Sequence, residues 1–286
     1  MPARSLTVTT NDVVLAVETF GSPLDPPVLL VMGATASMLW WPESFCSTIA
    51  DSGFFVARYD HRDTGRSTTG IPGEVGYSAE DLAADLVAIV GHLDHGPAHF
   101  IGMSLGGYIS QIVAVTHPDR VATLSLIASE PLGVEPGTLP GIDDRFIAPF
   151  ERLAALDWHN NDDVEQFMVE IGRLSAGSPQ RFDEAATRRR VTAEIARSSN
   201  IASAFNHGLV TTTHDWTNAT RNITQPTIVI HGALDPILPL PNGQALANLI
   251  EGAQLHVLPN AGHELNPRDL DELTSLLIGF LADNTP

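Results

Sequence analysis

One strand–turn–helix constrains this chain more than any other feature. The run Ala98-His99-Phe100-Ile101-Gly102 reads as a strand, and it passes through Gly102-Met103-Ser104-Leu105-Gly106-Gly107 into a helix carrying Tyr108, Ile109, Ile112 and Val113 on its apolar side. The turn is G-x-S-x-G. It is so tight that side chains at the flanking positions would collide with neighbouring backbone, which is why glycine stands there, and the serine hydroxyl is left projecting above the sheet. The first N–H groups of the helix lack partners and carry partial positive charge, so they favour an anionic oxygen beside Ser104.

The surrounding pattern supplies the sheet that such a turn needs. From residue 6 to 127 short β-branched runs alternate with helical patterns, the signature of an α/β domain on a mostly parallel central sheet flanked by helices. Val28-Leu29-Leu30-Val31-Met32 is nearly all apolar, as a strand covered on both faces must be. Further strands are expected at 54–59, 98–102, 121–127, 226–232 and 254–258. A helix between the strands at 54–59 and 98–102 shows Leu82, Leu86, Ile89, Val90 and Leu93 at helical spacing, with Ser78 as its N-cap and Asp81 in its first turn. From about 128 to 220 the alternation stops, and helical segments are expected near 141–156, 162–175, 181–200 and 201–209. The second strand-rich part by itself is too small to fold independently. The expected organisation is therefore one core from residues 1–127 and 221–286, with residues 128–220 as an inserted helical cap.

A serine alcohol becomes a nucleophile only when a positioned base takes its proton, so the turn calls for a histidine and for an acid to orient it. Asp235, in His231-Gly232-Ala233-Leu234-Asp235-Pro236, follows one strand. His263, in Asn260-Ala261-Gly262-His263-Glu264, follows the last. Ser104, Asp235 and His263 thus come off the C-terminal ends of strands, where open α/β sheets bind ligands. Glu130, in Ser129-Glu130-Pro131 after another strand, is the rival for the acid. The oxyanion of a tetrahedral intermediate needs two N–H donors. Leu105, next to the nucleophile, is one candidate, and Ala34, in Met32-Gly33-Ala34-Thr35 after a strand, is the other. Trp41 adjoins that loop as a substrate-wall candidate, with core packing as its alternative. An apolar pocket beneath the insertion is the default for such an architecture.

With these residues in view, the chain resembles the α/β-hydrolase superfamily. The likeness rests on Gly102-Met103-Ser104-Leu105-Gly106, on Asp60-His61-Arg62-Asp63-Thr64-Gly65-Arg66-Ser67, on Gly232-Ala233-Leu234-Asp235-Pro236 and on Gly262-His263, and the order Ser, Asp, His is that of this superfamily. Val31-Met32-Gly33, Trp41-Pro42 and Tyr59 to Thr69 are similar to the aclacinomycin methylesterase type of serine esterase. The resemblance covers residues 28–127 and 225–265 and implies ester hydrolysis through an acyl-enzyme, with the insertion choosing the substrate. The alternatives that keep the same residues are cofactor-free perhydrolysis and carbon–carbon bond hydrolysis; a hydrolase-fold ligand sensor is a third.

Composition narrows the partners. Lys plus Arg total 15 against 34 Asp plus Glu, a net charge of −19, and every basic residue is arginine. Such a surface repels phosphate backbones and anionic membranes alike. The run Arg188-Arg189-Arg190 reads as a solvated helix face, and Asp60 to Ser67 as a hydrogen-bonded loop that buttresses the site, with Arg62 paired to a carboxylate. The single cysteine, Cys46, cannot form an intramolecular disulfide and reads as buried filler. No metal-ligand cluster is evident. Met1-Pro2-Ala3-Arg4-Ser5 runs into Leu6-Thr7-Val8-Thr9 without an apolar signal core, and no stretch approaches the roughly 20 apolar residues of a membrane span. The expectation is a cytoplasmic enzyme acting on a small-molecule ester, with no cofactor, metal, nucleic acid or membrane.

Overall fold

The structure, a computed structural model, describes residues 3–93, 96–135, 137–264 and 266–285. Met1 and Pro2, the start of the N-terminal stretch read above, lie outside the described residues. Eight strands are present among those described: β1 (Arg4–Thr10), β2 (Val13–Phe20), β3 (Pro27–Val31), β4 (Phe55–Tyr59), β5 (Ala98–Met103), β6 (Val121–Ile127), β7 (Thr227–Gly232) and β8 (Gln254–Leu258). They form one sheet in the order β1-β2-β4-β3-β5-β6-β7-β8. β1 and β2 are an antiparallel hairpin whose turn, Asn11-Asp12, has φ of 43° and 63°, the left-handed conformation that a two-residue hairpin loop requires. β2 joins β4 antiparallel, and β4 through β8 are parallel.

Every residue of β3, β4, β5 and β7 is buried, which explains their continuous apolar runs. The helices are α1 (Glu43–Asp51), α2 (Ala79–Leu93), α3 (Leu105–Thr116), α4 (Ile147–Leu153), α5 (Asn161–Ser175), α6 (Glu184–Arg197), α7 (Pro241–Leu249) and α8 (Pro267–Asp283). On one face of the sheet Val28, Leu30 and Val56 meet α1 and α8 through Phe45, Cys46, Ile49, Leu273 and Leu277. On the other, Leu29, Val31 and Ala57 meet α2, α3 and α7 through Leu82, Leu86, Ile109, Ile112 and Leu246. Cys46 is core filler, as read, and burial pushes its thiol up to about 12. α2 begins where Ser78 predicts: Asp81 N–H donates to Ser78 Oγ at 3.2 Å, and Asp81 Oδ2 accepts the Ser78 N–H at 2.8 Å.

Between β6 and β7 the described residues hold helices and no strand. α5 spans the expected 162–175 almost unchanged, while α4 and α6 are shorter than the expected 141–156 and 181–200; Asn160 and Asp183 cap α5 and α6 with their side-chain oxygens. Val164, Phe167, Met168, Val169, Val191 and Ile201 form a small apolar cluster of their own. The strand order reverses at β3, so the C-terminal ends of β3 and β5 lie side by side, with Val31 opposite Gly102. A crevice at such a switch point is where a doubly wound sheet binds its ligand.

Candidate active site

β5 delivers Ser104 to that crevice. The residue caps α3 with φ 51° and ψ −120°, a strained conformation for a non-glycine residue, and is half-buried. The neighbouring glycines make the turn possible. A Cβ at Gly106 would strike the Val31 carbonyl oxygen, and one at Gly102 would lie 2.6 Å from the Gly106 oxygen. Ser104 is tied down by its N–H to Ile127 O at 2.9 Å and by Ser129 Oγ, which donates to its carbonyl at 2.9 Å. The loop after β3 runs alongside: a Cβ at Gly33 would sit 3.2 Å from Ser104 Cβ and 3.8 Å from Oγ.

Ala34 and Leu105 flank this spot, both half-buried, and neither N–H has a protein partner among the described residues. Asp235 and His263 come together after β7 and β8. Nδ1 of His263 donates to Asp235 Oδ2 at 2.8 Å, while Asp235 Oδ1 accepts the Ile237 and Leu238 N–H groups at 2.8 and 2.9 Å. A carboxylate can only accept, so the His263 proton stands on Nδ1 and the Nε2 lone pair is left free. Asp235 is buried, and His263 is 11% exposed at its side chain. No hydrogen bond joins Ser104 Oγ to His263 among the described residues; such bonds often tighten only when substrate is bound. Glu130 is exposed and makes no bond to His263 among those residues.

Trp41 is a correction. It is fully buried, stacked on Phe45 with ring centroids 5.3 Å apart, so it belongs to the core and walls no pocket. Trp40, half-buried beside it, carries the Arg190 guanidinium 3.7 Å above its ring. A cleft of about 720 Å³ beside α3 is lined by Tyr108, Glu130, Glu135, Asp215, Trp216 and Leu238, among others. None of Ala34, Ser104, Leu105, Asp235 and His263 is among its lining residues, so it is separate from the pocket expected at the site.

The Asp60 to Ser67 loop does buttress the site. Arg62 pairs with Asp85 through two bonds of 2.7 and 2.8 Å, both side chains buried. Asp63 accepts from Gly70 N at 2.6 Å and from Tyr77 Oη at 2.7 Å. Asp60 Oδ1 accepts the Met38 N–H at 3.0 Å. His61 Nε2 donates to Met32 O at 2.8 Å. Burial and the neighbouring His207 push the His61 imidazole down to about 3, so it is neutral and its Nδ1 accepts from Tyr59 Oη at 2.9 Å.

Several groups escaped the sequence reading. His207 Nδ1 accepts the Thr35 N–H at 2.9 Å, which fixes the proton on Nε2, donated to Arg62 O at 2.8 Å. Glu194 accepts from Ser37 N at 3.0 Å and Ser37 Oγ at 2.6 Å. Of the arginine run, Arg188 lies on the surface and pairs with Glu184 at 3.0 Å, but Arg190 turns inward to an ion pair with Glu264. The available signal was the spacing of Arg190, Glu194 and Arg197 on a helix with almost no apolar stripe.

Residues 26–268 match the family model described as alpha/beta hydrolase fold. The chain is 32% identical over 280 residues to rhodomycin D methylesterase DnrP of Streptomyces peucetius, covering 93% of each chain. It is 33% identical over 184 residues to the pimeloyl-[acyl-carrier protein] methyl ester esterase of Chromobacterium violaceum, covering 64% of this chain and 68% of that one. An esterase structure from Exiguobacterium antarcticum shares the fold with a TM-score of 0.81 at 19% identity, over 98% of this chain and 100% of the other.

Proposed function

The chain belongs to the alpha/beta hydrolase fold family of enzymes, and from that premise we propose that it is a serine carboxylic ester hydrolase that cleaves the methyl ester of a bulky natural product. The observation that carries the reading is Ser104 held at φ 51° over the start of α3, with an oriented Asp235–His263 pair following β7 and β8 at the same, C-terminal end of the parallel sheet. Two relatives with methyl esters in their names support the choice of leaving group.

In this reading Ser104 Oγ adds to the ester carbonyl carbon while His263 Nε2 takes its proton. The N–H groups of Ala34 and Leu105 hold the oxyanion, and Asp235 stabilises the imidazolium. Collapse breaks the carbon–oxygen bond to methoxide, which receives the proton from His263 and leaves as methanol. Water, deprotonated by the same imidazole, then releases the acid and restores Ser104. The alcohol, the acid and one water account for every atom, and the residues of this chain suffice for each proton transfer. Residues 128–220 act as the cap that selects the acyl group; support comes from the His263 N–H, which donates to Ser175 O at the end of α5 at 2.8 Å.

A panel of methyl, acetyl and aryl esters tests the assignment. Methyl esters of large acids are expected to exceed those of short acids by roughly 10²-fold in kcat/KM, as remote binding energy is used at the reacting centre. Equal rates across acid size contradict the bulky-substrate part. Peracid formation or carbon–carbon cleavage without ester hydrolysis contradicts the whole.

A further inference from the structure

α6 carries an unusual inner face. Its buried residues are Thr187, Val191 and Glu194, and three charged side chains at i, i+4 and i+7 (Arg190, Glu194 and Arg197) point at three different segments of the sheet-bearing core. Arg190 pairs with Glu264, the residue after His263, and stacks on Trp40 in the 3₁₀ turn Met38–Trp40. Glu194 takes both the N–H and the Oγ–H of Ser37, in the loop that carries Ala34. Arg197 pairs with Asp60 at 2.6 Å, and Asp60 in turn holds the Met38 N–H.

Isolated charges are not buried without compensation, and replacing this face with apolar residues would cost the helix nothing locally. Each charge instead satisfies a loop whose position matters to the reaction. The loop after β3 hangs between groups of the core, His61 and Asp60, and groups of the insertion, Glu194 and His207. The His263 loop is gripped by Arg190 through Glu264 and by Ser175 O. One helix therefore touches the side that would supply the oxyanion donors and the side that supplies the base.

We propose that Arg190, Glu194 and Arg197 form a positioning device, through which α6 aligns the Ala34 loop with the His263 loop, so that the insertion sets catalytic geometry as well as substrate choice. The inference rests on the reading of Ser104 as nucleophile. None of the three arginine or glutamate side chains touches substrate in this account; they act through Ser37, Asp60 and Glu264.

The test uses p-nitrophenyl acetate, whose acyl group is too small to need the insertion for recognition, together with fluorophosphonate labelling of Ser104. For Glu194→Ala, kcat is expected to fall about 10- to 100-fold with KM within about threefold, since small displacements of a catalytic loop act on the transition state. Labelling of Ser104 slows in the same proportion. Glu194→Gln, which still accepts the Ser37 N–H, restores kcat to within about threefold. Arg188→Ala, on the outer face of the same helix, behaves as wild type. Wild-type kcat in Glu194→Ala, or a loss that only tracks the fraction of folded protein by circular dichroism, overturns the proposal. Should Glu194→Ala fail to fold, Ser37→Ala decides: a kcat about tenfold lower at an unchanged thermal midpoint supports the device, and wild-type kcat overturns it. Failure of the parent reading has a separate signature, namely wild-type protein that is not labelled at Ser104.

Discussion

Asp235 sits in the folded chain as an acceptor on both oxygens: two backbone N–H groups hold Oδ1 and His263 holds Oδ2. That arrangement dictates the imidazole tautomer, and an amide at the same position would offer an N–H where an acceptor is needed. Asp235→Asn is therefore expected to lower kcat by about 10³- to 10⁴-fold with little change in thermal midpoint. Glu130→Gln, removing an exposed carboxylate with no bond to His263, changes kcat by less than about threefold. Steady-state kinetics of the two variants separate them, and the reverse ranking assigns the acid to Glu130. At this scale the sequence was informative wherever a residue ends a strand. Ser104, Asp235 and His263 each stand in a turn bounded by glycine or proline just after an apolar run. Glu194 and His207 carry no such mark, because their partners Ser37 and Thr35 lie 157 and 172 residues away and only the packed fold brings them near. Trp41 misled for a related reason: adjacency in sequence to a functional loop says nothing about which side of the chain a ring occupies.

Among the elements, α6 is the one whose local pattern and tertiary role diverge most. A polar helix reads as surface, and its outer side is surface, with Arg188 paired to Glu184. Its inner side buries Glu194, and burial pushes that carboxyl up to about 7, with the Asp60 charge adding to the rise while Ser37 and Arg197 oppose it. Between the ordinary 4.5 and about 7 the folded protein retains a proton that the unfolded chain has released. This group therefore lowers stability as pH rises through that window, by up to about 3 kcal/mol, and contributes no further change above it. Glutamine does not titrate. Urea unfolding across pH should show Glu194→Gln gaining on wild type from pH 4.5 to about 7 and a constant gap beyond; parallel stability curves would show that Glu194 is ionised throughout. The strands were far easier to read. β3, β4, β5 and β7 follow apolar or β-branched runs because strands covered on both faces tolerate no polar alternation. The helix ends were less legible, since a cap such as Asp183 shortens α6 relative to its pattern.

For the whole molecule, four segments remote in sequence leave the C-terminal end of the sheet together. The loop after β3, the turn after β5 and the loops after β7 and β8 converge because the strand order reverses at β3 and all these strands run parallel. Of the charges that enter the interior, Arg62–Asp85 and Arg197–Asp60 are ion pairs, while Asp63 and Glu194 are held by hydrogen bonds. Among the described residues no helix is long and apolar enough to cross a membrane. Each step of the proposed reaction depends on Ser104 becoming acylated. Rapid quenching of the enzyme with p-nitrophenyl acetate, followed by peptide mass spectrometry, measures this directly. The predicted result is a burst of p-nitrophenol stoichiometric with enzyme and an acetyl group on Ser104, both absent from a folded Ser104→Ala variant; an acetyl group elsewhere, or full turnover by that variant, would contradict it.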